Sequence, residues 1–322
     1  MKQLVMKGPR HSVVTEFPDL TLRPGMLLVK VKYTGLCMSD WHPWDDAHEG
    51  MKLGHEPVGT VAAIGEDVCG FKLGDRVSGL SSTATYAEYC LMDAKLTVHV
   101  PDDVSDEDAV AEPLGCLVSA AGKTRPRKAG DTMVVVGTGY MGLGIVSLYR
   151  MMGAGEIIAV DPRAEARENA LAMGATVAYH PDEVPDLYRF TEFIVGGPGP
   201  QKTGFPIVQE FAGTEEALRL AGDMTAINGT LGIGGWHQGG DRVLDIRQWG
   251  WKGLTAINTH ERDSLYQIEC CKNALEMIRT RRWPFVGMSR NIYALNEFDK
   301  ANIDMENKPA GFIKALIRCS DY

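Results

Sequence analysis

The sequence predicts an α/β fold, in which a doubly wound parallel sheet is combined with a smaller domain of short strands. Apolar runs of strand length alternate with helix-length apolar patterns over residues 123–261, and this alternation favours a right-handed parallel sheet. Short strands separated by glycine turns occupy the chain up to about residue 100, which is typical of a small barrel or sandwich. Residues 262–322 fit poorly into the parallel sheet. They could return to the domain of short strands, which would give one domain of residues 1–122 and 262–322 and a second of residues 123–261.

The first domain is predicted from alternating and β-branched runs that are bounded by turns. Its predicted strands lie at residues 27–33, 58–64, 86–92 and 96–100. From Ser105 the apolar period becomes helical, and we expect Asp106, Glu107 and Asp108 in the first turn of a helix, because acidic side chains are favourable there. This helix is predicted to continue through residues 109–122.

The second domain alternates strands with helices, and the tail of the chain adds further elements. Strands are predicted at residues 133–136, 157–160, 176–178, 206–211, 229–233, 254–257 and 311–317. Helices are predicted at residues 143–152, 164–173, 215–224, 264–278 and 298–305. A loop rich in glycine and proline is predicted at residues 196–204.

Composition limits the classes of function. The chain has 322 residues and a net charge of −9 with no basic block, which argues against nucleic acid or an anionic membrane as partner. No apolar run is long enough to span a bilayer, and the first eight residues lack the apolar core of a signal peptide. The seven cysteines are scattered and form no C-x-x-C pair, so we expect a protein of the reducing cytoplasm.

A dinucleotide site is predicted at the glycine turn after residues 133–136. Gly137 allows a tight turn, Gly139 allows close approach of a pyrophosphate, and Gly142 allows the helix to lie close to the strand. The other residues of the motif, Thr138, Tyr140 and Met141, lead into the helix. The N-terminus of this helix offers free N–H groups to phosphates. Asp161 follows about twenty residues later, where an acid bonds the adenosine ribose. We therefore predict NAD rather than NADP.

A metal site is suggested by Cys37, His55 and Glu112, which offer a thiolate, an imidazole and a carboxylate. Catalytic zinc uses three such ligands and keeps one position open. The two anions would balance Zn²⁺, whereas Glu56 as a further ligand would leave the site negative. Each residue alone also has a simpler interpretation as a small buried side chain, a core histidine or surface charge, so the spacing leaves the metal open.

The motifs that contain these residues resemble the zinc-dependent medium-chain dehydrogenase/reductase family, which includes alcohol, sorbitol and threonine dehydrogenases. The matching signatures are G-L-C-M-S-D-W-H (35–42), G-H-E-P-V-G (54–59), F-K-L-G-D-R-V (71–77), Y-A-E-Y (86–89), A-E-P-L (111–114) and G-T-G-Y-M-G (137–142). They keep the order of the family and cover nearly the whole chain.

This resemblance implies a GroES-like β-barrel catalytic domain made from both chain ends, with a Rossmann NAD-binding domain between them. It implies one catalytic Zn²⁺ whose ligands match Cys37, His55 and Glu112. Glu56 matches a glutamate that ligates or flanks the metal, and Asp40 matches the carboxylate that orients the ligand histidine.

Further roles are carried over by the same resemblance. Ser39 and His42 match the hydroxyl and imidazole of a proton relay. Gly234 and Lys314 match positions near the nicotinamide and the pyrophosphate. Arg163 could receive a 2′-phosphate, although a solvated surface arginine is the simpler interpretation.

One departure from the family is the absence of a structural-zinc lobe, since only residues 78–85 separate Val77 from Tyr86. We therefore expect no structural zinc. The family forms dimers and tetramers, so a homodimer or homotetramer is expected, with residues 254–257 as a sheet edge that could pair between subunits.

The predicted activity is zinc- and NAD-dependent interconversion of a secondary alcohol of a polyol, sugar or cyclitol with its ketone. Glu112 resembles the polyol branch of the family, and the polar residues 258–261 include Asn258 and His260 as candidate substrate contacts. Trp41 and Trp44 are candidate walls for a sugar ring. The alternatives are a threonine-dehydrogenase-like enzyme, a simple alcohol dehydrogenase, a zinc-free reductase and a non-catalytic binding protein.

Overall fold

The computed structural model describes residues 1–189, 204–289 and 291–320. The predicted loop at 196–204 therefore lies outside the described residues except for Gly204. By its internal contacts the chain divides into two units. The first is Met1–Cys116 with Glu261–Tyr322, and the second is Leu117–His260.

Strands dominate the start of the chain, and strands and helices alternate later among the described residues. The strands are β1 (Lys2–Gly8), β2 (His11–Glu16), β3 (Met26–Gly35), β4 (Pro57–Ile64), β5 (Arg76–Ser81), β6 (Tyr89–His99), β7 (Thr132–Val136), β8 (Glu156–Val160), β9 (Val177–Tyr179), β10 (Phe205–Glu210), β11 (Thr225–Ile233), β12 (Thr255–Asn258), β13 (Asn291–Ala294) and β14 (Ala315–Arg318). The helices are α1 (Met38–Asp45), α2 (Ala111–Lys123), α3 (Tyr140–Met151), α4 (Ala164–Ala172), α5 (Glu215–Met224), α6 (Ile246–Lys252), α7 (Ser264–Arg279) and α8 (Phe298–Asn307). Short 3₁₀ turns lie at Pro181–Glu183, Asp186–Tyr188 and Leu295–Glu297.

The first unit is built on a closed antiparallel barrel. Its sheet has the order β13-β14-β3-β4-β5-β6, and an additional pairing of β6 with β3 closes the last four strands. Alternate residues of β3 point inward because successive side chains of a strand face opposite sides, and Leu27, Val29 and Val31 are buried. The rings of Tyr86 and Phe298 meet in this core at 4.6 Å.

Two sequence predictions for this unit need correction. The strands predicted at 86–92 and 96–100 are one strand, because β6 pairs first with β3 and then with β5. Asp106 does not lie in the first turn of a helix, since α2 begins only at Ala111. The Asp106 carboxylate instead accepts hydrogen bonds from Arg76 and Lys32, which fix the chain before the helix.

The second unit is a doubly wound parallel sheet with the order β12-β11-β10-β7-β8-β9, as predicted. The strand order reverses between β7 and β10, and ligands of such sheets bind at the carboxyl ends of strands near this point. Val134, Val136, Ile158 and Val208 are fully or almost fully buried in its core, as expected for strands covered by helices on both faces.

The tail of the chain belongs to the first unit. β14 pairs antiparallel with β3 and parallel with β13. The last predicted strand, 311–317, begins later than expected because Gly311 has a φ of +81° and the Phe312 N–H closes a turn onto Pro309. Among the described residues, no helix combines the length and apolar character needed to cross a bilayer.

Candidate active site

Neighbouring strand ends bring the predicted metal ligands together. Cys37 follows β3 and precedes α1, while His55 and Glu56 immediately precede β4. β3 and β4 are antiparallel neighbours, so the end of one strand meets the start of the other, and the Gly35 N–H donates to the Glu56 carbonyl at 2.9 Å. A Cβ on Gly35 would lie 1.9 Å from Glu56 Oε2. Glycine at this position therefore leaves the space that the Glu56 carboxylate occupies.

The structure groups Cys37, His55 and Glu56 as a candidate metal site. Their ligand atoms all lie within 4.8 Å of one another. The two nitrogens of His55 face different carboxylates, with Nδ1 3.5 Å from Asp40 Oδ1 and Nε2 3.9 Å from Glu56 Oε1. Tyr86 Oη donates to Asp40 Oδ2 at 2.8 Å. The imidazole orientation is therefore set by Asp40, as expected for a ligand histidine.

The charges around this cluster favour a bound cation. Burial lowers the pKa of His55, but hydrogen bonds with Asp40 and Cys37 outweigh that effect and raise the pKa to about 12. The anionic surroundings that stabilise a proton on the imidazole are also suited to a divalent metal. A thiolate, an imidazole and a carboxylate are the donors that zinc prefers, so this donor set fits Zn²⁺.

Glu56 is 1% exposed and forms a buried ion pair, in which Lys314 Nζ lies 2.6 Å from Oε2. Burial lowers the pKa of Lys314, but the charges of Glu56, Cys37 and Glu112 together with the hydrogen bond to Glu56 outweigh burial and raise it. The sequence placed Lys314 near the pyrophosphate. The structure pairs it with Glu56 instead, and we do not carry the pyrophosphate role forward.

Glu112 is not a member of the three-residue group found among the described residues. It lies at the start of α2, where its Oε1 accepts a hydrogen bond from Gln267 Nε2 at 3.0 Å and one from Cys116 Sγ at 3.4 Å. Burial raises the pKa of Cys116 well above its ordinary value, so its thiol is a donor. The sequence placed Glu112 ahead of Glu56 as a ligand, whereas the structure clusters Glu56 with Cys37 and leaves Glu112 held by its neighbours.

The glycine turn in the second unit has the geometry that a dinucleotide requires. Gly137 has a φ of +89°, which glycine adopts without strain. A Cβ on Gly142 would lie 1.9 Å from the Gly137 carbonyl oxygen, whereas one on Gly139 would find only Arg163 Nη2, at 3.9 Å. The space next to Gly139, at the N-terminus of α3, is thus open to a phosphate group.

Asp161 ends the strand that follows, and its carboxylate is 4% exposed. Oδ2 accepts a hydrogen bond from the Thr138 N–H at 2.9 Å, and Oδ1 accepts from the Arg163 N–H at 2.9 Å and from Arg163 Nε at 3.2 Å. Arg163 is therefore paired with Asp161 and is not the solvated surface arginine of the simpler interpretation.

Family models match both units. An alcohol dehydrogenase GroES-like domain matches residues 23–102, and a zinc-binding dehydrogenase model matches residues 141–280. Together they cover about two thirds of the chain. The chain belongs to the zinc-dependent medium-chain dehydrogenase/reductase family. This membership confirms the predicted oxidoreductase class and the GroES-like and Rossmann domains.

Individual members of the family are similar to this dehydrogenase at low identity. An L-threonine 3-dehydrogenase from Shewanella sp. (strain ANA-3) is 27% identical over 298 residues, covering 80% of this chain and 83% of the relative. The alcohol dehydrogenase TADH from Thermus sp. ATN1 has a TM-score of 0.82 at 21% identity, covering 99% of this chain and 100% of the other. A 2R,3R-butanediol dehydrogenase from Bacillus subtilis has a TM-score of 0.77 at 22% identity, with 99% of each chain covered. The two solved structures share the fold.

The predicted proton relay lies on α1 of this dehydrogenase. Ser39 is half-buried and donates a hydrogen bond from Oγ to Cys37 Sγ at 3.2 Å, while His42 is exposed. Residues three apart on a helix lie on the same side, so Ser39, which bonds Cys37, and the exposed His42 share one face of α1.

The predicted tryptophan walls differ from each other. Trp44 is completely buried in the barrel core and donates from Nε1 to Asp299 at 2.8 Å. We therefore drop the prediction that Trp44 forms a wall of the substrate pocket. Trp41 is half-buried and packs against the same core. Among the described residues, its indole nitrogen has no hydrogen-bond partner.

The polar residues at the end of β12 bond both their own loop and the end of β11. Asn258, the last residue of β12, accepts the His260 N–H at 3.0 Å, and Thr259 donates to the Ile233 carbonyl. The ring of His260 meets that of Trp236 edge-on at 5.2 Å. Trp236 is 43% exposed and was not singled out by sequence.

Gly234 is required by packing, because a Cβ there would lie 2.4 Å from Phe211 Cε1. Sequence analysis also missed two contacts of the metal centre, the Tyr86 hydroxyl on Asp40 and the Gln267 amide on Glu112. Tyr86 lies in the Y-A-E-Y motif, which was a usable signal, whereas Gln267 carries none.

Proposed function

We propose that this protein is a zinc- and NAD-dependent dehydrogenase that interconverts a secondary alcohol of a polyol, sugar or cyclitol with its ketone. The observation that carries the proposal is the cluster of Cys37, His55 and Glu56, in which Asp40 orients the imidazole. When bound, Zn²⁺ supplies Lewis acidity that lowers the pKa of a substrate hydroxyl, and NAD supplies the hydride acceptor. We propose a single catalytic zinc and no structural zinc.

Charge balance supports this ligand set. Cys37 as thiolate, Glu56 and Glu112 would bring three negative charges to the site, Lys314 cancels one of them and a divalent metal would cancel the other two, while His55 contributes a neutral donor. Lys314 bonds the second oxygen of Glu56 and so leaves Oε1 on the side of His55. Glu112 is a further carboxylate that would be available to hold the metal.

The proton released from the substrate hydroxyl needs a route to water. Ser39 lies beside Cys37 and can accept this proton as it donates its own toward His42. An exposed imidazole is suited to exchange protons with solvent near neutral pH.

The preference for NAD is supported by Asp161. Its buried carboxylate lies directly after β8, where it can accept hydrogen bonds from ribose hydroxyls and repel a 2′-phosphate. Arg163 is bonded to Asp161, so part of its charge is already balanced.

The substrate class is supported by the polyol-like Glu112 and by the relatives. L-threonine and 2R,3R-butanediol, which two of the relatives are named for, both carry a secondary alcohol next to a second polar group. Trp41 and His260 remain candidate contacts, and Asn258 contributes by holding the His260 backbone. L-threonine itself is the second candidate, because a curated relative carries that name.

A homodimer or homotetramer is also proposed. β12 is an outer strand of its sheet, and Thr255, Ala256 and Asn258 are exposed. An open strand edge is a template for pairing with a second copy.

The test is a comparison of kcat/KM for cyclic and linear polyols, 2,3-butanediol and L-threonine against ethanol, butanol and benzyl alcohol, with NAD and with NADP. A site built to bond several hydroxyls should favour its best polyol over butanol by at least about a hundredfold. His260→Ala should lower the ratio of kcat/KM for the best polyol to kcat/KM for butanol. The polyol proposal fails if an apolar primary alcohol is the best substrate and His260→Ala leaves the ranking unchanged.

A further inference from the structure

Helices α2 and α7 approach each other closely beside the metal centre. A Cβ on Gly115 of α2 would lie 2.4 Å from Cys271 Sγ and 3.0 Å from the Gln267 carbonyl oxygen, both on α7. Glycine at this position is therefore what allows the two helices to meet. The contact lies one turn from Glu112 along α2, and it brings the Gln267 side chain onto that carboxylate.

Gln267 uses its amide to bond two groups of α2. Nε2 donates to Glu112 Oε1 at 3.0 Å and to Cys116 Sγ at 3.2 Å, while Cys116 Sγ donates to the same Glu112 oxygen at 3.4 Å. Gln267 is only 8% exposed. Both donors bond Oε1, so the other carboxylate oxygen of Glu112 is the one that they leave for the metal centre.

A neutral amide suits this position because the metal centre is already balanced in charge. Cys37 as thiolate, Glu56 and Glu112 carry three negative charges, which Lys314 and a divalent ion would cancel. A lysine or arginine at position 267 would add a competing positive charge beside the metal. An amide instead orients the carboxylate and satisfies one acceptor without changing the net charge.

We propose that Gln267 is a positioning residue, which holds the Glu112 carboxylate turned toward the Cys37–His55–Glu56 cluster and thereby strengthens metal binding. This inference rests on the proposed function, since Glu112 can contribute to metal binding only if the cluster binds zinc. Hydrogen bonds of this kind to ligand carboxylates tune the affinity of metal sites. Gln267 acts through Glu112 and is not itself a ligand.

The experiment uses the full chain after removal of bound metal, followed by titration with Zn²⁺ and, separately, with Co²⁺. Gln267→Met keeps the length of the side chain and removes the donor. We expect its zinc dissociation constant to rise about tenfold or more, in the range found when partners of metal ligands are removed. The visible absorption bands of the Co²⁺ protein should also shift, because the ligand field changes.

Gln248→Met is the matched control. Gln248 Nε2 donates to the Asp223 carboxylate at 3.1 Å in the second unit, so this variant also loses one amide–carboxylate bond. It should bind zinc like the wild type and keep the wild-type Co²⁺ spectrum. Gln267→Asn, which keeps the amide but is one methylene shorter, replaces Gln267→Met if the latter does not fold, with the same expected result.

Two outcomes overturn the inference in distinguishable ways. If the wild type binds one zinc per chain and the Gln267 variants match it in zinc affinity and Co²⁺ spectrum, Gln267 only joins two helices. If the wild type itself takes up no zinc, the proposed function fails, and this inference fails with it.

Discussion

The two candidate binding regions of this dehydrogenase use different groups, side chains in one and backbone in the other. The metal centre is made of side chains, in which Cys37, His55 and Glu56 converge and Asp40 and Lys314 hold them. The glycine turn is made of backbone, where the important property of its glycines is that they lack a side chain. The carboxylate of Asp161 accepts a hydrogen bond from the Thr138 N–H of this turn.

This difference teaches what each region tolerates. The metal centre depends first on the chemical identity of a few donor atoms. The glycine turn depends on empty space, and the identity of outward side chains such as Met141 matters less. A substitution that removes a donor atom should therefore impair the metal centre most, and one that adds a side chain should impair the glycine turn most.

The largest effect is expected for Cys37→Ala. Removal of the thiolate should abolish stoichiometric zinc and lower kcat/KM by about a thousandfold or more, because a metal contributes several kcal/mol to such reactions. The thermal midpoint should change little, since the barrel core is formed by other residues. Metal analysis and kinetics on the purified variant check this.

The control for Cys37→Ala is Cys69→Ala, because Cys69 is the exposed cysteine. It should keep about one zinc per chain and full activity. Full activity of Cys37→Ala, or of the wild type after complete metal removal, would contradict the assignment of the metal centre.

A smaller effect is expected for Gly139→Ala in the glycine turn. Gly139 has φ −70° and ψ −167°, which alanine can adopt, so the fold should persist. The added methyl would occupy the open space at the helix N-terminus, and KM for NAD should rise about tenfold or more. Met151→Leu, at the exposed C-terminal end of α3, is the control and should leave KM for NAD unchanged. An unchanged KM in Gly139→Ala would mean that the pyrophosphate binds elsewhere.

The smallest effect is expected for Asp161→Ala, which changes coenzyme choice. Loss of a hydrogen bond to a charged acceptor costs at least about 1.5 kcal/mol, so the ratio of kcat/KM for NAD to that for NADP should fall at least about tenfold. Titration of both coenzymes by fluorescence would check the binding part of this change. A wild type that already prefers NADP would show that the role given to Asp161 is wrong.

Much of the fold was predictable because its signals are local. The β-branched run before Gly137 and the glycines that follow specify strand, turn and helix within one short stretch, and β7 and α3 match the prediction. The helix predicted at 215–224 has the observed bounds, because Thr214 caps its first turn. β3 likewise follows from its own alternation.

The rest depends on contacts between distant parts of the chain. The short helix α1 contains Pro43 and two tryptophans, a composition that does not predict a helix, yet it carries Ser39 and His42. The sequence did not reveal that Trp44 is buried in the barrel core, because the residues around it, such as Asp299, lie far away in sequence. No local pattern indicates that Gln267 bonds Glu112.

The ion pair between Glu56 and Lys314 has a consequence for synthesis on the ribosome. Glu56 emerges early, but Lys314 is translated only after the contiguous second unit, Leu117–His260, has been made. Until then β3 lacks its neighbour β14, and the carboxylate of Glu56 has no lysine to neutralise it. Because domains fold largely as units while the chain emerges, the unit that is begun first is completed last. The ion pair between Glu56 and Lys314 therefore forms only at the end of translation.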